Sequence, residues 1–97
     1  MLFLVKHVHD HTTCPAVHDD LSGTIGKVLS KENKEKTGVD VKDVYVDASG
    51  HTVYLVLDAG TALNLQLFLA PLLRIGTAET TPVLTLDEAM EMGDAME

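Results

Sequence analysis

The first residues of the chain alternate between the two faces of a predicted β-strand. Side chains of a strand point to opposite faces with a period of two. The even-numbered face carries Leu2, Leu4, Lys6 and Val8. The odd-numbered face carries Phe3, Val5, His7, His9 and, where the strand ends, His11. Because residues 1–5 are apolar on both faces, we expect the strand to be covered on both sides at its start.

A helix is predicted over about residues 19–36, after the first strand. Its apolar residues follow the i, i+4, i+7, i+8 spacing of an amphipathic helix and are Leu21, Ile25, Val28 and Leu29. Gly38 follows the lysine-rich last turn, where a C-cap glycine belongs. The pattern therefore predicts one continuous helix that ends before Gly38.

Two further strands, over residues 39–48 and 51–58, are predicted to form a hairpin. Both segments alternate apolar and polar residues, and Ser49-Gly50 between them is a typical two-residue turn. That turn sets a register in which the apolar cross-strand partners are Val44 with Leu55 and Val46 with Val53. The opposite surface of the hairpin carries Tyr45 and Tyr54 as a cross-strand pair.

A second helix is predicted over residues 61–70, and it is apolar nearly all round. Its large apolar residues are Leu63, Leu65, Leu67, Phe68 and Leu69. A helix of this kind is buried on more than one side, so we expect contacts with both the sheet and another subunit. Pro71 is expected to end the helix, because proline cannot donate a backbone hydrogen bond.

The C-terminal segment predicts a last strand and a short helix. Residues 79–84 have the composition of a strand, and Pro82 places that strand at an edge or near a strand end. Thr85 and Glu88 form a capping-box pattern that opens an acidic helix ending near Gly93.

The order of these elements predicts the fold class. Two interleaved βαβ units with right-handed crossovers give an α+β, ferredoxin-like βαββαβ fold. It has a four-stranded antiparallel sheet with two helices on one face, here followed by a short C-terminal helix. Residues 1–97 are enough for one such domain. The sheet face without helices needs a cover, and pairing with the sheet of a second subunit would supply it.

Three segments resemble the small dimeric α+β-barrel proteins: the start MLFLV, the hairpin DVYVDASGHTVYLVLDA and the ending TPVLTLDEAM. The resemblance is nearest to the functionally uncharacterised members of about 100 residues. It implies a ferredoxin-like homodimer. The superfamily includes muconolactone isomerase-like enzymes, small monooxygenases, haem-degrading proteins and nickel-binding proteins, and the fold alone does not choose among them.

The amino-acid composition limits the kinds of partner and the cellular location that we expect for the protein. Fifteen acidic against seven basic residues give a net charge of -8, which repels phosphate backbones and argues against nucleic acid as a partner. No stretch reaches the roughly 20 apolar residues of a membrane helix. A single cysteine forms no internal disulfide, which favours a cytoplasmic protein. With four aromatic side chains and no tryptophan, the core is small, so we expect a homodimer or larger assembly.

A cluster of histidines with the only cysteine marks a candidate metal site. Its members near the first strand are His7, His9, His11, Cys14 and His18. Histidines two apart on a strand share a face, with Cα atoms roughly 6.5 Å apart, so their rings can converge on one ion. Zinc, nickel, copper and iron accept nitrogen-rich sites of this kind. His51, at the start of the adjacent strand, is a further candidate ligand, although the hairpin register points it to the other face.

The same residues allow other interpretations. The histidines can also be hydrogen-bonded pocket or interface residues without a metal. In an enzyme of the dimeric-barrel type, such as an isomerase or cofactor-poor oxygenase, His7 or His9 would act as the general base. Tyr45 and Tyr54 are candidates for lining a small-molecule pocket. A third interpretation is an oligomerisation module that binds no ligand.

Overall fold

The computed structural model describes residues 1–14 and 19–96, with the backbone alone for residues 19–22. The predicted positions of Pro15 and His18 lie outside the described residues. The elements, in chain order, are β1 (Leu2–Val8), α1 (Asp19–Val28), α2 (Lys31–Thr37), β2 (Asp40–Asp47), β3 (Thr52–Asp58), α3 (Ala62–Leu73), β4 (Thr77–Val83) and α4 (Leu86–Ala95). The predicted α+β class is confirmed, and the described residues form four helices where the sequence pattern indicated three.

The four strands form one antiparallel sheet in the order β2-β3-β1-β4. The two most apolar strands, β1 and β3, therefore occupy the centre, where both of their edges are paired. The predicted hairpin register is correct, since Val44 lies opposite Leu55 and Tyr45 lies opposite Tyr54. The connection is longer than predicted, because β2 ends at Asp47 and β3 begins at Thr52.

The core lies between one face of the sheet and the helices. The odd-numbered residues of β1 point into it, beginning with Phe3 and Val5. Its other large buried members are Val28, Val39, Val53, Leu55, Leu57, Leu65, Phe68, Leu69, Leu72 and Ile75. The expectation that residues 1–5 would be covered on both sides is wrong for the single chain, because Leu4 on the opposite face is 43% exposed.

The predicted helix over residues 19–36 is two helices, which is a correction to the sequence analysis. Ser30 has an extended backbone, with φ −66° and ψ 152°, and its side chain accepts a hydrogen bond from the backbone N–H of Asn33. The Asn33 side chain donates to the carbonyl oxygens of Val28 and Phe68. An N-cap serine interrupts the helix while the apolar spacing continues across the break. Gly38 is the predicted C-cap, in the left-handed conformation with φ 69°.

The helix α3 is longer and less buried than predicted. It continues through Pro71, which falls in its last turn, and ends at Leu73. The inward side carries Leu65, Phe68, Leu69 and Leu72 at i, i+3, i+4 and i+7 spacing. Leu63 and Leu67 are exposed, so only one side of this apolar helix is buried within the chain.

The remaining surface has two notable parts. The sheet face away from the helices exposes Leu4, Val8, Tyr45 and Tyr54. The helix α4 begins with the predicted capping box of Thr85 and Glu88 and has no buried residue. None of the described helices is both long and apolar enough to cross a membrane.

Candidate metal centre

His9 and His51 face each other at the end of the β1–β3 pair. The backbone N–H of His9 donates to the carbonyl oxygen of His51 at 3.0 Å, which extends the strand pairing beyond Val8 and Thr52. Their ring centroids are 5.7 Å apart. The expectation that His51 points to the other face is therefore wrong. Directly paired residues share a face, so pairing His7 with Val53 also brings His9 and His51 to the same side.

The backbone of His51 has a left-handed conformation that the residue pattern did not predict. His51 has φ 50°, the one positive φ of a non-glycine residue in the described part of the chain. Its N–H donates to the carbonyl oxygen of Ala48, while the Asp47 carboxylate accepts from the backbone N–H of Gly50 and the hydroxyl of Ser49. A left-handed residue at the end of a turn redirects the chain into the next strand. The ring of His51 is positioned by this turn.

Cys14 is brought to the two rings by the loop that follows β1. The Asp10 carboxylate accepts hydrogen bonds from the backbone N–H and hydroxyl of Thr12, which folds the loop tightly. The Thr13 hydroxyl donates to the carbonyl oxygen of Ile75 at 2.8 Å and ties the loop to the end of α3. As a result, the Cys14 side chain is buried, with 4% exposure, although the loop itself is largely exposed.

Three donor atoms come together at this point. One nitrogen each of His9 and His51 and the Sγ of Cys14 all lie within 4.8 Å of one another. Two imidazoles bound to one ion through nitrogens at about 2.0–2.1 Å have ring centres about 5.2–5.5 Å apart at tetrahedral or trigonal angles. The observed centroid distance of 5.7 Å is slightly longer than that range. Bonds of about 2.0–2.3 Å to one ion would bring the three donor atoms to about 3.3–3.8 Å from one another, so the side chains would move inward on binding.

His7 lies beneath this group but is not part of it. Its ring centroid is 5.4 Å from that of His9, its side chain has 0% exposure, and its Nε2 lies 2.8 Å from the carbonyl oxygen of Leu72. A carbonyl only accepts hydrogen bonds, so Nε2 carries the proton. Full burial also removes His7 from contact with any substrate in solution. The contribution of Leu72 was not predictable from the sequence, because a backbone carbonyl leaves no mark in the residue pattern.

Buried nitrogen atoms without partners characterise the histidine cluster. The Nδ1 atoms of His7, His9 and His51 are buried and have no hydrogen-bond partner among the described residues. Burial lowers the pKa of His7 below its ordinary value of 6.5, against the effect of the Leu72 carbonyl. Burial, followed by the neighbouring His7 and His51 rings, lowers the pKa of His9 as well, and Asp10 partly opposes the shift. Both rings are therefore neutral at pH 7, the form that binds metal.

The other predicted site residues lie elsewhere. The His11 side chain is exposed and does not belong to the group of three donors. Tyr45 and Tyr54 lie opposite each other on the sheet face away from the helices, whereas the histidines are on the helix side. The structure thus separates the predicted metal residues from the predicted ligand-binding tyrosines.

The chain matches a known family over its entire length. Residues 1–97 match the family described as "Domain of unknown function (DUF3303)", and the chain belongs to that family. No curated protein matches the chain.

Proposed function

We propose that this member of the DUF3303 family binds a transition-metal ion through His9, Cys14 and His51. The observation that carries the proposal is the convergence of three buried or half-buried donor atoms within 4.8 Å. Two of these residues have a buried Nδ1 without a hydrogen-bond partner. A buried polar atom without a partner is costly, and a bound ion would offset that cost.

The donor set favours particular ions. Two imidazole nitrogens and one thiolate suit zinc and copper, and nickel also accepts imidazole, whereas calcium and magnesium prefer oxygen ligands. Three protein ligands leave a fourth position open in a tetrahedral site. We propose His11 as the candidate for that fourth position, because it lies on the same tight loop as Cys14, whereas the Nε2 of His7 is already engaged by the Leu72 carbonyl.

A thiolate ligand requires a cellular compartment in which the thiol stays reduced. Metal binding requires that Cys14 loses its proton and stays reduced. We therefore place the protein in the cytoplasm, where thiols are kept reduced. Cys14 is buried and has no disulfide partner, which is consistent with a ligand role in a reducing compartment.

The test is metal titration of tag-free, chelator-treated protein, with zinc, nickel, copper and cobalt in separate experiments. We expect one ion per chain and a raised melting temperature, because an ion that binds only the folded state stabilises it. Cobalt should give the thiolate-to-metal absorption band that only a sulfur ligand produces. Cys14→Ser should remove that band, and His9→Ala should abolish stoichiometric binding.

Two variants at position 51 distinguish the role of His51 as a metal ligand from its role in the turn. His51→Gly removes the strain of about 1–2 kcal/mol that the left-handed backbone costs any residue with a Cβ, whereas His51→Ala keeps the strain that the native histidine has. Both variants should lose the metal, and the metal-free His51→Gly protein should melt at a higher temperature than the metal-free His51→Ala protein. His11→Ala tests the fourth position and should weaken binding without abolishing it. Unchanged binding in the His9 and Cys14 variants would place any bound ion elsewhere and refute the proposal.

We also propose that the chain forms a homodimer of the ferredoxin-like, dimeric α+β-barrel kind through its open sheet face. The support is the exposed row of Leu4, Val8, Tyr45 and Tyr54 on a sheet whose other face carries the core. In that dimer Tyr45 and Tyr54 would line the space between the sheets, where a small-molecule ligand could bind. Leu4→Asp should break the contact between the two sheets and so lower the mass of the assembly in sedimentation. An assembly whose mass is unchanged by Leu4→Asp would exclude this interface.

A further inference from the structure

The C-terminal helix α4 has an apolar stripe that nothing in its own chain covers. Residues three and four apart on a helix share a face. One stripe is Leu86, Ala89, Met90 and Gly93, and the adjacent stripe is Asp87, Glu91 and Asp94. Leu86 is 76% exposed and Met90 is 63% exposed. The described part of the molecule measures 53 × 30 × 17 Å, and no described element packs closely along α4.

A cleft on the helical side of the domain is lined by apolar residues and lysines, which complement the apolar and acidic stripes of α4. It is an open cleft of about 360 Å³ beside α2 and α3, and its apolar lining residues are Leu67, Ala70 and Pro71. Lys27 and Lys36 also line it, and among the described residues of the lining only Glu32 is acidic. Within the described residues, the side-chain ion pairs are Lys31 with Glu35 and Lys42 with Asp40, so both cleft lysines keep their charge available.

We propose that α4 of one copy docks in the α2–α3 cleft of a second copy, and that the exchange is reciprocal. The apolar stripe around Met90 would cover Leu67, and the acidic stripe of Asp87 and Glu91 would face Lys27 and Lys36. In a symmetric pair each copy supplies one helix and one cleft, so the contact closes on itself. This interface involves the helical side of the domain and is separate from the sheet face and from the metal centre.

The chain's own cleft is a poor receptor for its α4. The strand β4 ends at Val83, opposite Leu2, whereas the Pro71 end of the cleft lies beside Leu72, which bonds to His7 near the other end of β1. The capping box at Thr85 fixes the direction in which α4 leaves the strand. A second copy can receive the helix in the direction that this capping box sets.

The open sheet face is an equally poor receptor. Its apolar residues are accompanied by Asp43, Asp47 and Glu79, and Lys6 is the basic residue paired across from Glu79. An acidic helix laid on that face would meet mostly like charge, which disfavours binding. The lysine-lined cleft is the described surface that matches both stripes of α4.

Charge reversal tests the pairing directly. The cleft variant carries Lys27→Glu and Lys36→Glu, and the helix variant carries Asp87→Lys and Glu91→Lys. Each variant alone places like charges on both halves of the interface, so its dissociation constant should rise about ten-fold or more. In an equimolar mixture both contacts are again complementary, so heterodimers should form with close to the wild-type dissociation constant. Sedimentation of fluorescently labelled chains measures all three cases.

The matched control is Lys31→Glu with Lys34→Glu, which makes the same charge change on α2 outside the cleft lining. It should associate as the wild type does, and all variants should keep the wild-type circular dichroism spectrum. Salt should weaken the wild-type pairing and strengthen that of each single variant, because ions screen both signs of interaction. Wild-type association by either variant alone, or no recovery in the mixture, would overturn the proposal. Loss of association in Leu4→Asp alone would then assign the dimer to the sheet face.

Discussion

The Nε2 atom of His7 donates a hydrogen bond to the carbonyl oxygen of Leu72 across 2.8 Å, joining residues 65 positions apart in the sequence. This bond attaches the end of α3 to the central strand β1. It also fixes the tautomer of His7, so that its Nδ1 keeps a free lone pair beneath His9. The bond therefore links the stability of the fold to the geometry of the candidate metal centre.

We predict that His7→Ala destabilises the metal-free protein by about 2–5 kcal/mol, because it leaves a cavity and an unpaired buried carbonyl. The matched control is Lys6→Ala, the next residue on the opposite, exposed face, which should change stability by no more than about 0.5 kcal/mol. Urea unfolding of both variants measures the difference. Equal midpoints for the two variants would mean that the bond to Leu72 contributes nothing.

A second prediction concerns Gly76, which lies close to Val8 and His7. A Cβ on Gly76 would collide with the carbonyl oxygen of Val8 and lie 2.9 Å from the Nε2 of His7. Gly76→Ala should therefore cost about 1–3 kcal/mol through overpacking. Gly60→Ala is the control, since its Cβ would meet nothing within 4 Å, and it should leave stability unchanged or raise it by up to about 1 kcal/mol. Thermal melting that ranks Gly60→Ala below Gly76→Ala would contradict this account.

The sheet was the most predictable part of the fold. Alternation in β1 and in the hairpin identified the strands, and the hairpin pairs Val44–Leu55 and Tyr45–Tyr54 are those expected from the short turn. The break between α1 and α2 was not predictable from apolar spacing. It depends on Ser30 leaving the helical conformation and on Asn33 bonding to the carbonyl of Phe68 in a distant helix. Such non-local bonds override the local helical pattern.

The candidate site was predictable only in part. The shared face of His7 and His9 followed from strand periodicity, whereas the side on which His51 lies depends on how β3 pairs with β1. A hairpin pattern predicts which residues of the hairpin oppose each other. It does not predict which face of the hairpin lies on the same side of the sheet as His7 and His9. The position of Cys14 depends on the bond between Thr13 and the Ile75 carbonyl, which no local pattern encodes.

A third prediction concerns α3, which was expected to be buried on more than one side. Phe68 has 0% exposure, whereas Leu67 is 52% exposed. Phe68→Ala should cost about 3–5 kcal/mol, as large-to-small changes in a core do. Leu67→Ala should stay within about 0.5 kcal/mol when measured on dilute protein. Denaturant unfolding in which the two variants lose similar stability would show that the outer side of α3 is also buried.

The histidine pair predicts how the stability of the metal-free protein depends on pH. Burial lowers the pKa values of His7 and His9 in the folded state below the 6.5 of an unperturbed ring. Below pH 6.5 the unfolded chain therefore binds protons that the folded chain does not, so stability is complete above that pH and falls as pH decreases toward the lowered values. Each such proton steepens the fall by up to about 1.4 kcal/mol per pH unit.

Urea unfolding from pH 7.5 to 5 should show the decrease, and His9→Gln should make it shallower. Asp10, Asp40 and Asp47 also have lowered pKa values, but carboxyl groups titrate below this window. A flat profile between pH 7.5 and 5 would mean that both rings gain protons as readily in the folded chain as in the unfolded one.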